Sequence, residues 1–404
     1  MINHEEEENL KLIAGEFKLL ERISQGGFGD VRICQSVKNQ KKYAIKIESN
    51  EKRSHKANSH LRNEYKIHKI MQGAVGFPKI NCFCTKLPPK SPNYYYSFST
   101  KSISYLVHEL LGPSLENLFV QCNHRFSLKT VLMIADQVLC RLEYMHNKRF
   151  IHQDIKPDNF LMGTGTNSNV IYIIDFGLSK SIDEHKETMH DPMLIDQEFI
   201  GTSRYATISA HLGYEQSQKD DLESLSYSFV YFLKGKLPWQ GIDVSDKELK
   251  CHLISQKKQS IPHVDVFDGL PSEFYQFFQL VHNLNFNERP NYSLYRQMFR
   301  NLMIKKGYVY DYQYDWVTIF NSRRNIHRNN PEINHDSADH QNPIITASNA
   351  AQFSVRTPEA PNEEDENANH TPAHNTSIDL NKPTNNHTTD PNKRLPSPRL
   401  PSPR

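Results

Sequence analysis

Apolar and polar residues alternate from Phe17 to Lys46 around a cluster of glycines, the pattern of a hairpin followed by a third strand. From His60 to Met71 the period changes: Leu61, Tyr65, Ile67 or His68, and Met71 recur at helical spacing. Leu106 to Leu111 reads as an apolar strand. Thr85 to Lys101, with three prolines and no periodicity, reads as a long loop between two strands. Helical patterns dominate from Leu128 onward, at Leu128 to His146, Asp220 to Leu233, Lys247 to Gln256, Ser272 to His282 and Tyr292 to Met303. This order predicts an α+β architecture, a small sheet-rich lobe followed by a larger helical one.

The pattern stops near Asn321. The remaining 84 residues hold 11 of the 22 prolines and a single aromatic, Phe353, so they cannot bury enough apolar surface to offset the entropy of ordering. Residues 321–404 are expected to form a disordered Asn/Pro-rich tail. Residues 1–16 read as an acidic extension and 17–320 as the globular part, with an N-lobe to about 111 and a C-lobe from about 112. Lys and Arg number 48 against 46 Asp and Glu, a net charge of +2, which gives no global reason to bind nucleic acid or an anionic membrane. No run of about 18 apolar residues predicts a membrane span. Glu5 to Glu8 is unlike a secretory leader, and the six scattered cysteines suggest neither a disulfide framework nor a zinc site. A reduced, intracellular protein is expected.

Candidate chemistry begins at Ser24-Gln25-Gly26-Gly27-Phe28-Gly29 with Val31 following. Without Cβ atoms, such a turn lets backbone N–H groups approach phosphates, although an ordinary tight hairpin has the same composition. Tyr43-Ala44-Ile45-Lys46 ends an apolar strand on a lysine, and the helix that follows carries Glu64, a possible partner. Downstream lie Ile151-His152-Gln153-Asp154-Ile155-Lys156-Pro157-Asp158-Asn159 and Ile173-Ile174-Asp175-Phe176-Gly177. Transfer of a phosphoryl group needs a carboxylate to take the hydroxyl proton, oxygen ligands for Mg²⁺ and a cation on the donor phosphates. Asp154, then Asn159 with Asp175, then Lys46 or Lys156 supply these parts. Their order resembles the eukaryotic protein kinase pattern throughout.

Longer motifs resemble the casein kinase I family of serine/threonine protein kinases. They are Glu109-Leu110-Leu111-Gly112-Pro113-Ser114-Leu115, Asp158 to Gly163, His211 to Ser217, Asp220 to Leu225, and Leu237-Pro238-Trp239-Gln240-Gly241. Gly201-Thr202-Ser203-Arg204-Tyr205-Ala206 stands where most kinases continue to Ala-Pro-Glu, and no Ala-Pro-Glu occurs. The resemblance runs from about Phe17 to Trp316. It implies a two-lobed kinase fold, ATP with Mg²⁺ as cofactor, and transfer to Ser or Thr of acidic or phosphate-primed protein substrates. By the same resemblance Asp154 orients and deprotonates the acceptor hydroxyl, and Lys156 steadies the γ-phosphate. Asn159 and Asp175 ligate Mg²⁺, and Lys46, paired with Glu64, holds the α- and β-phosphates. The nucleotide lies under Gly26, Gly27, Phe28 and Gly29, between Ile23, Val31 and Ala44, with its edge at the backbone of Glu109 and Leu111. Asp221 ties down the catalytic loop, and Arg204, Gly241 and Lys250 form an anion site for the substrate.

Several positions depart from that pattern. Ser24 replaces the first loop glycine, and Thr207-Ile208-Ser209 differs at two of three places. Gln153 replaces the arginine that commonly precedes the catalytic aspartate, which predicts activity without a phosphorylated activation segment. His108, at the back of the nucleotide pocket, is expected to pack as a neutral imidazole. A monomer working in cytoplasm, nucleus or both is implied; Lys257-Lys258 and Lys393-Arg394 are too short for a nuclear signal. The competing function is a nucleotide-binding scaffold without turnover, which losses at Lys46, Asp154 or Asp175 would favour; all three are present.

Overall fold

The alternation near the N-terminus becomes a five-stranded antiparallel sheet. Its strands are β1 (Phe17–Gly26), β2 (Gly29–Ser36), β3 (Lys42–Ser49), β4 (Ile80–Lys86) and β5 (Ile103–Glu109), in the order β1-β2-β3-β5-β4. The computed structural model describes residues 12–13, 15–26, 29–49, 60–86, 103–182 and 199–321, all within one unit of the chain. Gly27, Phe28, most of the predicted 85–101 loop and the tail from 322 lie outside the described residues. Side chains of successive strand residues face opposite ways. On β3, Ile45 and Ile47 join Phe17, Cys34, Tyr105 and Val107 in a small core, while Ala44 and Lys46 face the cleft below the sheet.

β5 stops two residues short of the predicted strand. Its ladder ends at Tyr43↔Glu109, near the start of β3, so Leu110 and Leu111 leave the sheet and cross to the second lobe. Helix α1 (His60–Met71) buries Leu61, Glu64, Ile67, His68 and Met71, one helical stripe that carries an acid among its apolar positions.

The second lobe is built on α3 (Leu128–Asn147) and α5 (Gln218–Lys234), each buried along most of its length. Before α3 comes α2 (Leu115–Gln121), a short helix that the periodicity did not predict. Ser114 starts it with a reciprocal cap to Asn117. Between α3 and α5 lie the short strands β6 (Phe150–Ile151), β7 (Phe160–Met162), β8 (Ile171–Ile173) and β9 (Lys180–Ser181), then α4 (Ile208–His211). The helices α6 (Lys247–Ser260), α7 (His263–Val266), α8 (Ser272–His282) and α9 (Tyr292–Lys305) complete the lobe. Helix α6 runs four residues beyond its predicted end. Residues 315–321 are helical and bring Trp316 and Val317 into the core, so helical structure continues through Asn321, one residue past the boundary drawn from composition. No described helix is long and apolar enough to cross a membrane.

Candidate active site

A cavity of about 1560 Å³ lies between the lobes. Its roof includes Ile23, Val31, Ala44 and Lys46, and its floor includes Lys156, Asn159 and Asp175. It continues past Thr202 and Arg204 to Gly241 and Lys250. Residues more than 200 positions apart in the chain thus share one wall.

Lys46 is buried, and its Nζ lies 2.8 Å from Glu64 Oε2 and 2.7 Å from Asp175 Oδ1. Burial alone would lower the Lys46 ammonium, but the two carboxylates outweigh it and hold the group above its ordinary value. Burial likewise opposes ionisation of Glu64, yet Lys46 and the His68 ring bring that carboxyl down to about 2. A depressed carboxyl contributes stability that is present above its unfolded value and is lost as pH falls through the folded one. The melting temperature of the native protein should therefore fall toward that of Glu64→Gln as the pH drops from about 5 to about 3, closing the gap by several degrees. A gap that stays constant across this range would refute the assignment.

Asp175 sits with φ 64° and ψ 69°, a left-handed conformation that a short polar side chain tolerates better than a branched one. It opens a 3₁₀ turn through Phe176 to Leu178, onto which α1 docks. Asn63 Nδ2 donates to Ser179 O at 2.9 Å, and His60 Nδ1 lies 3.3 Å from Gly177 O. Phe176 is fully buried between the rings of His68 and His152, at 4.6 and 5.7 Å between centroids. His68 also stacks on His108 at 6.0 Å. This column of rings links the helix carrying Glu64 to the loop carrying Asp154. Burial, helped by neighbouring His68, pulls His108 down to about 4, so it is neutral near pH 7, with Nδ1 on Glu109 O at 2.9 Å.

The Asp154 loop is fixed from below. Asp221 on α5 accepts the His152 N–H at Oδ2 (2.7 Å) and the Gln153 N–H at Oδ1 (2.9 Å), and His146 Nε2 lies 2.8 Å from Oδ2. Gln153 has φ 65°, which turns the chain so that both amides reach one carboxylate. Asp154 accepts from Lys156 Nζ at 2.5 Å and from Thr202 Oγ1 at 2.7 Å. Asn159 Nδ2 donates to the Asp154 carbonyl at 2.8 Å, so the amide oxygen is the side-chain group left to a cation. The segment with Thr202 comes this close only because residue 201 is glycine. Its φ is +106°, and a Cβ there would stand 2.7 Å from Gln153 O.

The cavity wall thus unites Ile23, Gly29, Val31, Ala44, Lys46, Glu64, Leu111, Lys156, Asn159, Asp175, Arg204, Gly241 and Lys250. Asp154 is only 4% exposed and reaches that wall through its bonds to Lys156 and Thr202. Glu109 stands outside it. Gly26 closes the β1–β2 hairpin opposite Gly29, and Glu109 N donates to Lys79 O while its side chain accepts from Lys79 N. Leu111, the other residue expected at the adenine edge, lines the cavity with Leu110 beside it. Sequence reasoning assigned no role to Thr202, because its partner Asp154 lies 48 residues away and no spacing announces the bond.

The protein kinase domain family matches residues 17–300, nearly the whole of the two lobes and their cleft. The chain belongs to this family: it is a protein kinase, an enzyme that uses ATP to phosphorylate proteins. The donor set suits that nucleotide and its metal. Lys46 presents a buried ammonium to the cleft, and Asn159 and Asp175 offer hard oxygen ligands beside it.

Proposed function

We propose that this kinase is of the casein kinase I type and phosphorylates Ser or Thr three residues after an acidic or phosphorylated residue. The observation that carries the reading is the continuity of one cleft from Lys46, Asn159 and Asp175 to Arg204 and Lys250. Bound ATP supplies the phosphoryl group, with Mg²⁺ to neutralise phosphate charge. In this reading Lys46 holds the α- and β-phosphates, and Asn159 and Asp175 hold the metal. Ile23, Val31 and Ala44 flank the adenine. Asp154 takes the acceptor proton on a carboxylate oxygen, exchanging its bond from Thr202 for one from the incoming hydroxyl. Lys156, within reach of both Asp154 and Thr202, steadies the γ-phosphate.

Arg204 supports the substrate assignment. Its guanidinium carbon stands 5.7 Å from the ring centres of Tyr205 and Tyr231, and the residue lines the cavity. Burial works against its charge, and the bond to Tyr205 with the nearby Tyr231 and Glu116 offsets this. Lys250 is exposed on α6 and lines the same cavity, as does Gly241, which has φ +81° and open space where a Cβ would be. A planar fork and an ammonium suit a phosphate or a carboxylate.

Incubation with Mg-ATP and casein should give phosphoserine and phosphothreonine. Bound ATP with no transfer would instead favour the scaffold. Arg204→Ala should raise KM for a primed peptide roughly ten- to a hundred-fold while changing an unprimed peptide far less, as expected for losing one charged hydrogen-bonding partner. An equal loss on both peptides would show that Arg204 does not read the primer.

A further inference from the structure

Behind the Ser203–Ala206 turn lies a buried cation that phosphoryl transfer does not use. Lys258 follows Ile254 and Ser255 on the inner face of α6 and is 2% exposed. Its Nζ donates to the carbonyls of Ser203, at 2.9 Å, and Ala206. It also stands 4.9 Å from the ring centre of Trp239 and 5.4 Å from that of Tyr227. Trp239 Nε1 donates to Arg204 O at 2.7 Å, and His211 Nε2 lies 3.2 Å from Ser203 O. The backbone on both sides of Arg204 is therefore gripped from the interior, while the Arg204 side chain lies on the cavity side.

The cage is made of dipoles and π faces rather than a carboxylate. Glu223 on α5 is the acid that acts on Lys258 through space, but its oxygens are taken by Tyr227 Oη at 2.9 Å and His282 Nδ1 at 3.0 Å. Burial dominates, and it brings the Lys258 ammonium down to about 7. The groups facing it are Glu223 and Tyr227 from α5, His211 from α4 and Cys251 from its own helix. Burial holds His211 near 4 and raises Tyr227 and Cys251. Burial would raise Glu223 too, but His282 and Tyr227 outweigh it and keep that carboxyl ionised.

We propose that Lys258 is a positioning residue for the protein acceptor: its ammonium fixes the Ser203–Ala206 turn on the acceptor side of the cleft, and loss of its proton loosens that wall. The proposal rests on the reading that this turn faces the acceptor. A neutral amine gives weaker hydrogen bonds to the two carbonyls and no cation–π attraction, so acceptor binding weakens as pH rises.

The test is steady-state kinetics between about pH 6.5 and about pH 8.5 with an unprimed acidic peptide, whose carboxylates do not titrate in that range. In the native enzyme KM for the peptide should rise several-fold across the range while KM for ATP stays level. Lys258→Met should start roughly tenfold higher in peptide KM and lose the pH dependence, as expected when charged hydrogen bonds are removed. Lys258→Arg, charged throughout, should lose the pH rise as well. A level peptide KM in the native enzyme, needing no variant, would overturn the proposal. So would a pH rise that survives in Lys258→Met, or an ATP KM that moves in step with the peptide KM. If Arg204→Ala leaves the KM of a primed peptide untouched while Lys258→Met raises the peptide KM, the primer reading of Arg204 fails and the positioning role of Lys258 stands.

Discussion

Asp154→Asn should lower kcat roughly a hundred- to ten-thousand-fold while leaving ATP affinity and melting temperature close to native, the range expected when a general base is removed. The amide keeps the size of the carboxylate and one acceptor oxygen, so the bond from Thr202 can persist. It cannot take a proton from a hydroxyl at neutral pH, and it gives the Lys156 ammonium no opposite charge. Phosphate transfer to casein and nucleotide binding should be measured on the same preparation. A variant with native kcat would show that Asp154 is not the proton acceptor. A variant that no longer binds ATP would place the defect in the cleft's structure.

The largest effect on stability should come from Asp221→Ala. The native carboxylate is 2% exposed and accepts two backbone N–H groups of the catalytic loop, with His146 at its side. Removing it leaves both amides buried without a partner and takes the charge from beside the imidazole. Breaking such an arrangement costs about 3–5 kcal/mol, which lowers the melting temperature by roughly 10 °C in a domain of this size. Asp221→Asn, retaining one acceptor, should lose less. Activity should fall in both variants, because Asp154 immediately follows the two amides released. A melting temperature within a degree of native for Asp221→Ala would mean that the loop is held by something else.

Much of this site was legible in the chain because its chemistry is carried by short runs. The Asp154 to Asn159 segment and the Asp175-Phe176-Gly177 run each bring their groups together within one turn of backbone, so spacing alone describes their relation. Strand alternation likewise put Ala44 and Lys46 on one face and Ile45 and Ile47 on the other, as the sheet has them. The helical period of α1 was legible too, but the face it buries was not fully so: Glu64 takes the place in the buried stripe that the apolar spacing gave to Tyr65, because its partner Lys46 lies on another element.

Contacts between distant segments carry no such period. Thr202 meets Asp154 only because Gly201 lets two loops touch. The ends of β5 and of the last helical segment depended on partners: β5 stopped where its pairing with β3 ended, and Trp316 and Val317 carried helix through Asn321 by entering the core. Lys258 is the clearest case. Read along the chain, Lys257-Lys258 is a basic pair that belongs in water, because burying an ammonium is costly. Tertiary packing surrounded the second lysine with two carbonyls and two aromatic rings contributed by three other segments, and that cage decided its position. The sequence by itself determined which groups are the candidates for phosphoryl transfer, since most of them lie within short motifs. The tertiary structure alone decided what holds those motifs in place, because burial and long-range hydrogen bonds come into being only when the lobes pack.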